Sequence, residues 1–184
     1  MTDFVTLPDL LRPDLAVVFV GINPSTYSVA RGHYFARKQS RFWPAFSRSR
    51  LSLPVRVALG RDLLGPVDDV ALLEHGFGFT DLVKTPSANA SALRPADFAE
   101  WAPRLAERLD PLAPRVVCFH GTIAFGAFRR YALGQPRAAV ALGAQRERVG
   151  GARVFVVPNP SPANAHFTPA DQTAWYDRLA AYLG

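Results

Sequence analysis

The chain predicts an α/β protein built as three layers, α/β/α, around a central, mainly parallel four-stranded sheet. Three observations lead there. Apolar runs rich in β-branched and aromatic residues occur at 16–21, 77–83, 115–119 and 153–157. Helical patterns fall between and after them, and strands alternating with helices build a parallel sheet with helices on both faces. Two of the runs, Val17-Val18-Phe19-Val20-Gly21-Ile22 and Val154-Phe155-Val156-Val157-Pro158, break into the same tripeptide, Asn23-Pro24-Ser25 and Asn159-Pro160-Ser161.

Each element has its own ground. The run at 16–21 is continuously apolar, as a strand buried on both faces should be. Pro24 cannot continue a central ladder, and Asn23 and Ser25 offer short hydrogen-bonding groups, so the run ends in a loop. Residues 42–51 carry a short helical pattern. The stretch 53–69, with Pro54, Gly60, Gly65 and Pro66, reads as a loop. The run at 77–83 is the second strand. Across 97–109, Phe98, Trp101, Leu105 and Leu109 recur at helical spacing and form one helix face. The run at 115–119 is the third strand, and 122–133 is a helix with Thr122 as its N-cap. Residues 133–151, with Gly134, Pro136, Gly143 and Gly150-Gly151, read as a second loop. The run at 153–157 is the fourth strand. Thr168-Pro169-Ala170-Asp171 opens the last helix, with Thr as N-cap, Pro at the first position and Asp behind it. Its apolar face is Trp175, Leu179, Tyr182 and Leu183.

At 184 residues, 49% hydrophobic and 20% charged, the chain suits one globular domain over 1–184. The single cysteine, Cys118, lies in Val116-Val117-Cys118-Phe119 and reads as a buried small hydrophobe. One cysteine excludes a disulfide framework, a cysteine zinc site and an iron–sulfur cluster held within this chain. With no charged-then-apolar leader and no apolar stretch long enough to span a bilayer, a soluble cytoplasmic protein is expected.

The net charge is +6, and its distribution says more than its size. No carboxylate occurs between Asp14 and Asp62, while Arg31, Arg37, Lys38, Arg41, Arg48, Arg50, Arg56 and Arg61 do, with His33, Tyr34, Phe35, Phe42 and Trp43 among them. Cations suit phosphates and rings suit bases, so this stretch points to nucleic acid, with Arg37 and Lys38 as candidate contacts. The plain alternative is a solvated basic surface. There is no Gly-Lys-Ser/Thr phosphate loop, no Gly-x-Gly-x-x-Gly and no His-Glu-x-x-His. The histidines His33, His75, His120 and His166 share no ligand spacing, so no metal site is expected.

Taken together, Gly21-Ile22-Asn23-Pro24-Ser25, Gly32-His33-Tyr34-Phe35-Ala36 with Arg41-Phe42-Trp43, Thr80-Asp81-Leu82-Val83 with Thr85-Pro86, and Pro158-Asn159-Pro160-Ser161 resemble the mismatch-specific uracil/thymine-DNA glycosylases. The resemblance runs from about Ala16 to the C-terminal helix. It implies hydrolysis of the N-glycosidic bond of uracil in DNA, without a cofactor, by a monomer that meets single-stranded or mismatched DNA. The base must leave the stack before the bond can break, and the bond breaks through an oxocarbenium-like sugar.

The resemblance also implies residue roles. Asn23 takes the position that holds the attacking water; the alternative is an Asn that only caps its loop. Gly21, Ile22, Tyr34 and Phe35 take the base-pocket positions, Phe35 as the stacking ring, although both rings could instead pack in the core. Asp81 stands where the family usually has no carboxylate. A carboxylate there can deprotonate the water and stabilise the sugar cation; the alternative is a surface Asp paired with Lys84 or capping a turn. Ser25, Asn159, Ser161, Pro162, Ala163 and Asn164 fall in the DNA-contacting loops. The wedge positions are small, where unstacking wedges are normally bulky. Lys38 and Lys84 are the only lysines, and neither stands at a matched catalytic position, so no Schiff-base lyase step is expected. The alternatives for the whole chain are a damage-binding module without catalysis, or a nucleoside or nucleotide hydrolase on a related scaffold.

Overall fold

The structure is a computed structural model, and it describes residues 4–184. Its strands are β1 (Val17–Gly21), β2 (Phe77–Asp81), β3 (Val116–His120), β4 (Gly143–Val149) and β5 (Ala152–Val157). Its helices are α1 (Thr26–Arg31), α2 (Phe42–Arg48), α3 (Leu53–Leu59), α4 (Pro95–Leu109), α5 (Thr122–Tyr131) and α6 (Pro169–Leu183), with short 3₁₀ turns between them. The sheet order is β2-β1-β3-β5-β4.

The four expected strands pair in parallel, and every residue of β1, β2 and β3 is buried. Successive side chains leave opposite faces of a strand, and the core divides accordingly. Val17, Phe19, Phe77, Phe79 and Phe155 pack with Phe42, Phe46, Val55, Tyr176 and Leu179 from α2, α3 and α6. Val18, Val20, Val117, Phe119 and Val154 pack with Trp101, Leu105, Leu109, Phe125 and Phe128 from α4 and α5. Burial on both faces is why the sequence runs are continuously apolar. Cys118 is fully buried in this core.

Four local expectations are corrected. The sheet has five strands: β4 forms within the stretch read as a loop and pairs antiparallel with β5 at the sheet edge. Its sequence, Gly-Ala-Gln-Arg-Glu-Arg-Val, alternates exposure and carries charge, as edge strands do to resist pairing with other chains. Residues 53–59 form α3 rather than a loop, with Pro54 in the first turn and Gly60 as a left-handed C-cap (φ 63°). The N-cap of α5 is Gly121, not Thr122. In α6 the Thr168 cap is as expected, with Thr168 and Asp171 bonded reciprocally. There the buried face is Gln172, Tyr176 and Leu179, while Trp175, Tyr182 and Leu183 are only partly buried.

The open edge of β2 is covered by the N-terminal segment. Leu10 and Phe79 exchange backbone hydrogen bonds in both directions at 2.9 Å, and Thr6 Oγ1 donates to Lys84 O at 2.6 Å. Among the described residues, no helix is long and apolar enough to cross a membrane.

Candidate active site

The carboxyl ends of β1, β2, β3 and β5 converge on one cavity of about 300 Å³. That is where an open parallel sheet presents loops rather than ladder, and where such sheets bind ligands. β1 delivers Gly21 and then Ile22, Asn23, Pro24 and Ser25; β2 delivers Asp81; β3 delivers His120; the turn after β5 delivers Asn159 to Ala163. Tyr34, Phe35 and Arg37 close the cavity from the loop before α2.

Parallel pairing between β1 and β2 carries on past the strand ends. Leu82 N–H donates to Gly21 O at 2.8 Å, and Val83 N–H to Ile22 O at 2.9 Å. Ser25 then bridges to Ser87. This lacing brings Asn23 against the 85–87 loop, and its Nδ2 donates to Thr85 O (2.9 Å) and Ser87 Oγ (2.7 Å). Both donors of the amide are used, which leaves Oδ1 as the remaining acceptor of a residue that lines the cavity. The cap of α1 belongs to Ser25, whose Oγ accepts from Ser28 N–H.

Asp81 is directly opposite Gly21 in the β1–β2 register. Its carboxyl Oδ1 lies where a Cβ on residue 21 would stand, so only glycine leaves it room. Asp81 is 4% exposed, and its Oδ2 has no hydrogen-bond partner. Burial pushes its pKa from 3.8 up to about 7, against the pull of Lys84 and Arg108 and with a push from Asp9. It is therefore no surface ion pair: Lys84 Nζ is occupied by Leu7 O and Asp9 Oδ1, each at 2.7 Å.

Phe35 stacks one face on Phe42, with centroids 4.4 Å apart, and also borders the cavity. Its φ is 52°, a left-handed backbone that bulky residues avoid. The flanking peptide units are pinned. Tyr34 N–H donates to the buried Asp69 Oδ2, Tyr34 O accepts from Trp43 Nε1–H, and Ala36 N–H donates to Ser28 Oγ. Asp69 also meets His33 Nδ1 at 3.1 Å. Tyr34 is 3% exposed and its hydroxyl donates to Pro8 O, so it is mostly wall, with its pKa raised by burial and by the Asp81 charge.

Fourteen candidate residues came from the sequence, and all but Lys38 and Asn164 line the cavity. Lys38 is exposed outside it. Asn164 turns back, donating from Nδ2 to Asn159 O, and so shapes the loop from behind. Asn159 Oδ1 accepts Ser161 N–H, and Ala163 N–H donates to Ser161 Oγ, a compact turn with Pro162 and Ala163 exposed at its tip.

Two residues escaped the sequence reading. His120 lines the cavity at the end of β3, 2% exposed, with Nε2 2.9 Å from Tyr176 Oη and its Nδ1 unpartnered. Burial lowers its pKa to about 3, so the ring is neutral. A histidine ending an apolar run, five residues before the first Phe of a helix, carries no local signal of a site. Arg41 looked like one more phosphate contact, yet its guanidinium donates to Asn164 O and Phe167 O and its N–H to Pro160 O. It holds the 160–167 loop in shape.

The three-layer α/β/α fold thus presents one cavity at its strand ends, with Arg37 among its lining residues. Residues 8–182 match the uracil DNA glycosylase superfamily. The chain belongs to that superfamily, whose general role is that of a DNA glycosylase, a hydrolase of DNA repair acting on DNA.

Two outcomes follow from this geometry. Gly21→Ala should displace the Asp81 carboxyl and, on the catalytic role proposed below, cut glycosylase activity at least about tenfold, with circular dichroism and melting cooperativity retained; full activity would mean that Asp81 moves aside freely or takes no part in the chemistry. The pH dependence of stability gives the second. A raised carboxyl pKa means the neutral acid is the form the fold tolerates, so that contribution is complete below the unfolded pKa of 3.8 and lost as pH rises through about 7. Asp81→Asn should therefore melt higher than wild type at pH 8, with the gap closing toward pH 4, as read by melting temperature across pH.

Proposed function

We propose that the protein removes uracil from DNA by flipping the base into the strand-end cavity and attacking the sugar with water. The observation that carries this reading is Asp81: a buried carboxyl with an unpartnered oxygen, lining the cavity of a chain in this superfamily. A carboxyl with a pKa near 7 is a competent base at neutral pH, where its ionised form is abundant.

The steps divide among the lining residues. Phe35, fixed by its pinned backbone, offers a ring on which the base stacks, worth roughly 1–3 kcal/mol. Ile22 and Tyr34 bound the base, and neutral His120 can exchange a hydrogen bond with its edge without placing a fixed cation beside it. As the glycosidic bond lengthens, positive charge grows on the sugar and negative charge on the departing uracil. Ionised Asp81 stabilises the sugar cation from a buried position, where charges act strongly. Asn23 Oδ1 holds the water, and Asp81 takes its proton as oxygen bonds to the anomeric carbon. The products are free uracil and an abasic site. Lys84 Nζ is engaged by Leu7 O and Asp9 Oδ1, and Lys38 lies outside the cavity, which favours water over a lysine as nucleophile.

On the DNA side, Arg37, Lys38, Ser25 and the 159–164 turn contact the strand. Pro162 and Ala163 at the exposed tip are small for a wedge, so extrusion depends on how readily the base leaves its stack. Single-stranded uracil and G·U mismatches are the substrates this favours.

The decisive measurement is release of free uracil under single turnover. Asp81→Asn should slow it at least about tenfold, or about 1.4 kcal/mol of barrier, and abolish the rise in rate with pH centred near 7 that ionisation of Asp81 gives the wild type. Asn23→Ala should also slow it, with the double mutant less than additive because both groups serve one water. No uracil release by wild type on any DNA would leave a damage-binding module, and activity on free deoxyuridine would leave a nucleoside hydrolase.

A panel of oligonucleotides tests the wedge. Wild type should process single-stranded uracil and G·U faster than A·U, and G·T poorly. Ala163→Leu should speed the paired substrates more than the single-stranded one, since only a duplex leaves a gap to fill. Equal gains on both would show that this turn does not fill it.

A further inference from the structure

Beside the end of β2, three charged side chains meet. Lys84, 7% exposed, places Nζ 2.7 Å from Asp9 Oδ1. Arg108, from the last turn of α4, places Nε 3.2 Å from Asp9 Oδ2, close enough for an ion pair though not aligned as a hydrogen bond. Thr80 Oγ1 donates to Asp9 Oδ1 at 2.7 Å, and Arg108 Nη2 donates to the backbone carbonyl of Asp81 itself at 3.1 Å. Three separate parts of the chain thus supply one cluster: the N-terminal segment, the loop after β2, and α4.

The cluster is unbalanced. Two cations face one carboxylate, which leaves one positive charge at a partly buried site. Buried charge is costly unless compensated. Asp81, whose backbone carbonyl Arg108 holds, carries a carboxyl that feels all three charges and can supply the missing negative one. Cluster and Asp81 together sum to zero only when Asp81 is ionised.

We propose that Asp9, Lys84 and Arg108 are positioning residues that hold the end of β2 and together set the balance between acid and carboxylate at the buried Asp81. Lys84 and Arg108 favour the anion and Asp9 moderates them. Arg108 also fixes where the anion stands, through the Asp81 carbonyl. Gly21 faces Asp81 from β1, and neutral His120 and the protonated Tyr34 line the same cavity; the other cation lining it among the described residues, Arg37, is exposed and donates to Ala88 O. The consequence for rate rests on the catalytic reading of Asp81; the consequence for its ionisation does not.

The test therefore reads both. The ¹³C carboxyl signal of Asp81, assigned by its loss in Asp81→Asn, is titrated by NMR in wild type, Asp9→Asn, Arg108→Gln, Arg108→Lys and Lys84→Met, and the pH–rate profile for uracil release is measured alongside. Asp9→Asn should move the midpoint down, and Arg108→Gln and Lys84→Met up, each by about half a pH unit or more, while Arg108→Lys stays near wild type. Opposite shifts from removing opposite charges are something general loosening of the fold cannot produce. Asp9→Asn and Arg108→Gln, both on partly exposed side chains, decide the matter if Lys84→Met fails to fold. Midpoints that stay put, or move the same way in both, overturn the proposal. Carboxyl midpoints that shift as stated while the rate profile does not would uphold the cluster and remove Asp81 from the chemistry.

Discussion

The parallel pairing of β1 with β2 is the interaction on which the site depends. Its register sets Gly21 against Asp81, and its continuation through Leu82 and Val83 draws Asn23 to Thr85 and Ser87. One strand pair therefore positions the carboxyl, the gap that admits it and the amide beside it. Because side chains alternate along a strand, a slip of one residue would turn Asp81 to the other face of the sheet. The apolar faces on either side make such a slip costly, so core packing and site geometry are enforced by the same contacts.

The aromatic wall is held differently. Phe35 sits in a backbone conformation that a phenylalanine does not choose, and polar anchors keep it there. The buried carboxylate of Asp69 accepts Tyr34 N–H, and the Ser28 hydroxyl accepts Ala36 N–H. Strain of this kind persists only where surrounding structure overdetermines it. Here it fixes one ring against Phe42 and presents it to the cavity, so that under the proposed function a base would meet a surface already in place, with little ordering left to binding.

The N-terminal segment has two tasks that coincide. It covers the edge of β2, which would otherwise present unpaired backbone groups. It also brings Leu7 and Asp9 to Lys84, beside the end of that strand. Protection of a sheet edge and the electrostatics of the buried carboxyl are thus properties of one short stretch of chain. Arg41 shows the same economy on the far side of the cavity, where a cation in a basic stretch shapes the loop that follows β5.

The sequence by itself determined the layers, the four parallel strands, the α6 cap and the two Asn-Pro-Ser turns, because each rests on local signals: unbroken apolar runs, Thr-Pro-x-Asp, proline after a strand. It also determined that Asn23 and Asp81 stand at strand ends. It misread α3 and β4, since Pro54 and Gly60 mark helix ends as readily as loops, and an edge strand exposed on one side has no apolar run to betray it. Only the tertiary structure decided that Asp81 is buried, that Lys84 turns to Asp9, and that His120 shares the cavity. Arg41 and Asn164 likewise serve the loop, through partners distant in the chain. Those facts depend on strand order and register, which bring residues 9, 21, 81, 84, 108 and 120 together across the whole chain, and no local pattern encodes which distant neighbour a side chain will meet.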